Sequence, residues 1–242
     1  MQKLSGPGNA FSVRHRLPQS GSQPGRTVFR SVASDATFMQ RKDSNMKDTA
    51  LLMIDMQNGF LSARSPLFID GAPATVPACA RVIDHCRSQQ IPVFFVTRSY
   101  AADGSNVERT RHAAWEAGGK PLSPGCAKEL SADMPEDFGR TSHDYSIVKP
   151  RYSAFFATEL DLILRRLGIK KLILAGTTTP NCIRTTCYDA ISLDYEVIVL
   201  RDCTSSKTPE IQRSNLRDMQ AIGAEILDSA ELISKLPRVP GG

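Results

Sequence analysis

From residue 49 onward the chain alternates between short apolar runs and stretches with helical spacing. The runs "ALLMID" (50–55), "IPVFFVT" (91–97), "YSIVK" (145–149), "KLILAG" (171–176), "YEVIVL" (195–200) and "AEIL" (224–227) are short and nearly continuously apolar, which predicts six buried strands. Between them, residues 75–90 show helical spacing at Val76, Ala80, Ile83 and Cys86 or Arg87. Residues 158–168 predict an amphipathic helix stopped by Gly168, residues 180–193 and 209–223 two more, and a last short helix ends near Leu236. Strands that are apolar at almost every position are covered on both faces, and strands separated by helices are parallel. The expected fold class is therefore α/β: a three-layer αβα domain with a doubly wound six-stranded parallel sheet. In such sheets ligands bind at the carboxyl ends of the strands.

Three chemically distinct side chains fall at strand ends. Asp55 closes "LLMID", Lys149 closes "SIVK", and Cys182 lies just past "LILAG" in "TTTPNCIRTTC". If the strands are parallel, all three meet over one edge of the sheet although they are remote in sequence. Thr179 reads as an N-cap and Pro180 as the first helical residue. That puts Cys182 in the first turn, where free N–H groups and the positive helix end lower a thiol pKa and hold an oxyanion. Lys149 would add positive charge beside the sulfur, and Pro150 biases it to an extended conformation. Asp55 would carry the thiol proton to a leaving amine. Each residue also has an ordinary reading: a core cysteine, a turn aspartate, a solvated lysine. Their joint placement is what favours chemistry.

Charge is unevenly spread. Residues 1–48 carry eight basic and three acidic side chains, which is the whole formal excess of +5. The balanced remainder gives no support to a nucleic-acid partner, and no apolar run reaches the roughly 20 residues of a membrane span. Residues 1–48 are rich in Ser, Gly, Pro and Arg and have no acid before Asp35. We read them as a disordered extension and a transit peptide, towards a plastid rather than a mitochondrion because Pro and Gly oppose an amphipathic helix; a cytoplasmic chain with a plain tail is the alternative. Residues 49–238 form the expected domain. The six cysteines, Cys79, Cys86, Cys126, Cys182, Cys187 and Cys203, show no C-x-x-C pair, which suits reduced thiols and an intracellular compartment. His15, His85, His112 and His143 are scattered, and none reads as a metal ligand.

The segments "LLMIDMQNGFL", "IVKPRYSAFFATELDLILRRLG" and "LILAGTTTPNCIRTTCYDAISLDYEVIVLRDCTSS" together resemble the isochorismatase-like cysteine hydrolases, in family order over about residues 49–230. The last is similar to a plant branch of nicotinamidase-like proteins. The resemblance implies a Rossmann-like sheet in order 3-2-1-4-5-6 and an Asp55–Lys149–Cys182 triad. It also implies a cis peptide between Thr177 and Thr178 and an oxyanion hole from the Thr178 and Cys182 N–H groups. It implies hydrolysis of a C–N bond in a small amide, ureide or carbamoyl compound, with no cofactor. A catalytically silent metabolite-binding relative, or a nicotinamidase-type or isochorismate-type hydrolase, are the alternatives. Nicotinamidases carry an Asp-x-His metal motif after the second strand, where this chain reads "VTRSYAADGSN". Phe60, Tyr152 and Phe156 are candidate pocket walls, and Arg98, with Arg109 and Arg111, is a candidate anchor for a substrate carboxylate. The Gly-rich segment 102–125 is expected to line the pocket. The expected partner is a small molecule, with homo-oligomers common in the family.

Overall fold

The computed structural model describes residues 48–236. Residues 1–47, which hold nearly all of the expected transit peptide, lie outside them, as do residues 237–242. Six strands, β1 (Thr49–Ile54), β2 (Val93–Thr97), β3 (Tyr145–Val148), β4 (Lys171–Thr177), β5 (Glu196–Ser205) and β6 (Glu225–Leu227), form one sheet in the order β3-β2-β1-β4-β5-β6. Every pairing is parallel. The order reverses between β1 and β4, which makes the carboxyl edge there the ligand-binding crevice of a doubly wound sheet.

Side chains alternate between two cores. Leu52, Ile54, Phe94, Val96, Leu172 and Leu174 pack on one face against helices α4 (Leu160–Arg166), α5 (Arg184–Ser192) and α6 (Pro209–Ala221). Leu51, Met53, Val93, Phe95, Ile173 and Ala175 pack on the other against α2 (Ala72–Ser88) and α7 (Ser229–Lys235). Burial on both faces is why these strands read as unbroken apolar runs. Two short helices, α1 (Asn58–Leu61) and α3 (His112–Ala117), were not legible as periodic segments because each is at most two turns long. With Phe60, Tyr100, Trp115 and Leu122 they build a third apolar cluster beside the crevice.

Gly168 ends α4 in the left-handed conformation, φ 71°, as the sequence suggested. β5 runs to Ser205, five residues past its expected end, with a register irregularity against β4 between Leu174 and Gly176.

Candidate active site

Each of the first three strands delivers one buried charged residue immediately after its last residue. Asp55 follows β1, Arg98 follows β2 and Lys149 follows β3. The parallel ladder holds two of them in place: the Asp55 N–H donates to the Val96 carbonyl at 2.8 Å and the Lys149 N–H to the Thr97 carbonyl at 2.9 Å. Asp55 adopts φ 52°, a left-handed conformation that aspartate tolerates better than most residues, and there the chain leaves the sheet.

Lys149 Nζ lies 2.8 Å from Asp55 Oδ2 and donates to Cys182 Sγ at 3.4 Å and to the Arg151 carbonyl at 3.1 Å. The sulfur and the Arg151 carbonyl accept two of the ammonium hydrogens, and the carboxylate pairs with its charge. Asp55 and Lys149 are fully buried and Cys182 is 4% exposed. The carboxylate, ammonium and sulfur expected to converge do so. A buried ion pair of this kind adds little net stability when intact, but removing one partner costs about 3–5 kcal/mol because the other charge is left uncompensated.

The thiol corrects one expectation. Cys182 does not occupy the first turn of an α-helix: Thr179–Ile183 form a single π-turn, with Thr178 at its N-cap and no side-chain cap, before α5 begins at Arg184. The thiol pKa is pushed up to about 11 rather than down; burial is the main cause and Asp55 the second, while Lys149 and Arg98 pull the other way. At neutral pH the resting sulfur therefore carries its proton, beside a carboxylate able to take it. Cys187, one turn and a half along, is pushed up to about 12 by burial alone.

The threonines ahead of Cys182 form a tether. Thr178 and Thr179 hydroxyls donate to the Ser205 carbonyl at 3.2 and 3.0 Å, and Thr177 Oγ1 shares a 3.1 Å hydrogen bond with Ser205 Oγ. The Thr177–Thr178 peptide is cis, in agreement with the family resemblance. Gly176, at φ 118°, passes so close to β1 that a Cβ would stand 1.9 Å from the Ile54 carbonyl oxygen, so only glycine fits.

A cleft of about 350 Å³ opens at Thr178 and Asn181; its walls include Phe60, Ile69, Tyr100 and Trp115, with Arg111 and Lys207 also contributing and no acidic residue among its lining. Phe60 is thus where the sequence put it. Tyr152 and Arg98 do not line the cleft themselves; Tyr152 is partly buried and packs with the guanidinium groups of Arg98 and Arg111, 5.1 and 5.0 Å from its ring centre. Phe156 is a correction: its side chain is 57% exposed and does not line the cleft. Its neighbour Phe155 takes the inward place, stacked on Tyr195 at 5.8 Å. Arg109 likewise lines no part of the cleft.

Arg98 is nearly fully buried, and its surroundings were not foreseen. Gln57 clamps its backbone, accepting from its N–H at 2.9 Å and donating to its carbonyl at 2.8 Å. Arg98 Nη1 pairs with Glu108 and donates to the Tyr100 hydroxyl at 2.8 Å; that hydroxyl donates to Glu108 Oε2 at 2.8 Å. Glu108 lies in the Gly-rich segment, where no periodicity marks it. Ser205 was hidden because its role depends on the unexpected length of β5. Among the described residues, buried side-chain polar atoms without a hydrogen-bond partner are confined to Asp55 and to Nε and Nη2 of Arg98; the Asp55–Lys149 contact is an ion pair rather than an aligned hydrogen bond. The positions after β2 are Arg98, Ser99 and Tyr100, which do not supply the donors of a zinc site, and among the described residues no three His, Cys, Asp or Glu side chains gather as one.

Fold and site define a doubly wound α/β protein with a thiol, an ammonium and a carboxylate gathered at its ligand-binding edge. The isochorismatase domain model matches residues 49–231, and the chain belongs to that family. It is 38% identical over 181 residues, 74% of this chain and 91% of the relative, to an Arabidopsis thaliana protein described as a "probable inactive nicotinamidase". It is 33% identical over 182 residues, 68% of this chain and 72% of the relative, to a ureidoacrylate amidohydrolase of Serratia proteamaculans. The crystal structure of an isochorismatase family protein from Desulfovibrio vulgaris superposes with a TM-score of 0.72 at 37% identity, covering 78% of this chain and 98% of that one.

Proposed function

We propose that this protein is a cysteine-dependent hydrolase that cleaves a C–N bond in a small amide, ureide or carbamoyl compound. The observation that carries the reading is the buried line from Asp55 through Lys149 to the Cys182 sulfur, at 2.8 and 3.4 Å, beside an open cleft. Cys182 Sγ attacks the carbonyl carbon as its proton passes to Asp55. Lys149 stabilises the negative charge that grows on sulfur. The tetrahedral oxyanion is held by the Thr178 and Cys182 N–H groups. The C–N bond breaks, and ammonia or an amine leaves with the proton from Asp55. Water then attacks the thioester, or the thiocarbamate if the substrate is a ureide; Asp55 takes its proton and returns one to the sulfur. A thiol that rests protonated suits this sequence, because the carboxylate beside it then has a proton to receive and return.

The test is an ammonia-release screen over small amides and ureides with the wild-type protein and Cys182→Ala. Release that disappears in the variant supports the reading. Nicotinamide is expected to remain intact, consistent with the description of the Arabidopsis relative and with the residues that follow β2. A protein that releases ammonia from no member of the panel while still binding one would be the silent metabolite binder instead. Small-molecule turnover is also compatible with plastid targeting by residues 1–48, which fusion of that segment to a fluorescent protein in plant cells would test.

A further inference from the structure

We propose that the substrate carries a carboxylate in addition to the scissile bond, and that Arg98 is the residue that reads it. The inference rests on the hydrolase reading above and deepens it. Arg98 is 1% exposed, yet its Nε and Nη2 have no partner. These two groups form the side-on edge of the guanidinium, the planar fork whose spacing matches the two oxygens of a carboxylate. The opposite side of the group is fully engaged: Nη1 is held by Glu108 and the Tyr100 hydroxyl, and Gln57 fixes the backbone from both directions. A guanidinium gripped on one side and bare on the other is pre-organised for a ligand.

Arg98 adjoins the cleft through its neighbours: its Nη1 donates to Tyr100, which lines the cleft, and it shares the Tyr152 ring with Arg111, another lining residue. Burial opposes the arginine charge, and the Asp55 carboxylate favours it. The cleft itself is biased towards an anion. Arg111 and Lys207 contribute to its lining, neither forms an ion pair among the described residues, and no Asp or Glu lines it. An uncharged amide would bury the fork against a weaker acceptor, while a carboxylate satisfies both donors and meets the positive cleft.

Binding can be measured apart from turnover. In the Cys182→Ala protein, calorimetry would compare N-carbamoylglycine, N-carbamoyl-β-alanine and maleamate, each against its uncharged methyl ester. At least one acid should bind about tenfold or more tightly than its ester. Arg98→Met should erase that preference and Arg98→Lys, which keeps the charge but not the fork, should retain only part of it. The acid–ester comparison needs no change at Arg98, so it stands even if Arg98→Met fails to fold. Equal affinity for acids and esters, no binding by any acid, or an unchanged preference in Arg98→Met would overturn the inference. Cys182-dependent ammonia release combined with indifference to the carboxylate would sink this inference alone. A carboxylate preference without release would sink only the hydrolase reading.

Discussion

The two halves of the sheet contribute opposite kinds of chemistry to the same edge. On the β1–β2–β3 side, the residue after each strand is charged and buried: Asp55, Arg98 and Lys149. On the β4–β5 side the corresponding positions are neutral hydroxyls, Thr178 and Ser206, and the neighbouring Thr177, Thr179 and Ser205 knit the two strand ends together. One half supplies buried charge. The other supplies a backbone bent into a fixed shape, with the sulfur mounted on it. Charge next to a buried thiol would be of little use if the sulfur could move, and a rigid turn without charge would present only an inert thiol such as Cys187.

The largest expected effect separates the halves by activity. On any substrate found by the ammonia screen, Asp55→Asn should lower kcat by about 10²–10⁴-fold through loss of the proton carrier. Its effect on the thiol should be the reverse: with the Asp55 charge gone, Lys149 and Arg98 are opposed by burial alone and the thiol pKa should fall. Next, Lys149→Met should cost about 3–5 kcal/mol in urea unfolding, since Asp55 is left buried without its partner. The double variant Asp55→Asn/Lys149→Met should recover most of that loss; a simple sum of the two single effects would break the account of the pair. On the neutral side, Gly176→Ala should cost about 3 kcal/mol or more, or prevent folding, because its methyl group meets the Ile54 carbonyl.

Smaller effects come from the thiols in hydrocarbon. Cys187→Ser should cost about 1–3 kcal/mol by burying a hydroxyl among apolar groups, with kcat unchanged. Cys86 and Cys187 are both pushed up to about 12 by burial from an ordinary 9.0, and Cys182 to about 11. The folded chain keeps these protons above pH 9 while the unfolded chain loses them. Stability should therefore be unaffected by these thiols below about pH 9 and decline as the pH rises from there. Urea midpoints at pH 8 and pH 10 would show the decline, and Cys187→Ala should make it shallower.

The sheet was legible because it is buried on both faces, so each strand announced itself as an apolar run of the right length. The convergence of Asp55, Lys149 and Cys182 followed from parallel strands alone. What stayed hidden depends on distance rather than pattern. Glu108 and Tyr100 sit in an aperiodic loop, and only the fold shows that they hold Arg98. The direction of the thiol shift was misjudged because a Thr-Pro start looks like an α-helix N-terminus, whereas the chain makes a π-turn, and because sequence shows position but not enclosure. Phe155 and Phe156 are indistinguishable as letters; Tyr195 decides which one turns inward.

The central claim is that Cys182 rests as a protonated thiol and relies on Asp55 during turnover. The most direct test is the pH dependence of Cys182 alkylation by brief pulses of iodoacetamide, read by peptide mass spectrometry. The account predicts a rate that keeps climbing past pH 9 towards an inflection near 11, and an inflection shifted downwards in Asp55→Asn. A wild-type rate already level at pH 7, the mark of a resting thiolate, would contradict it.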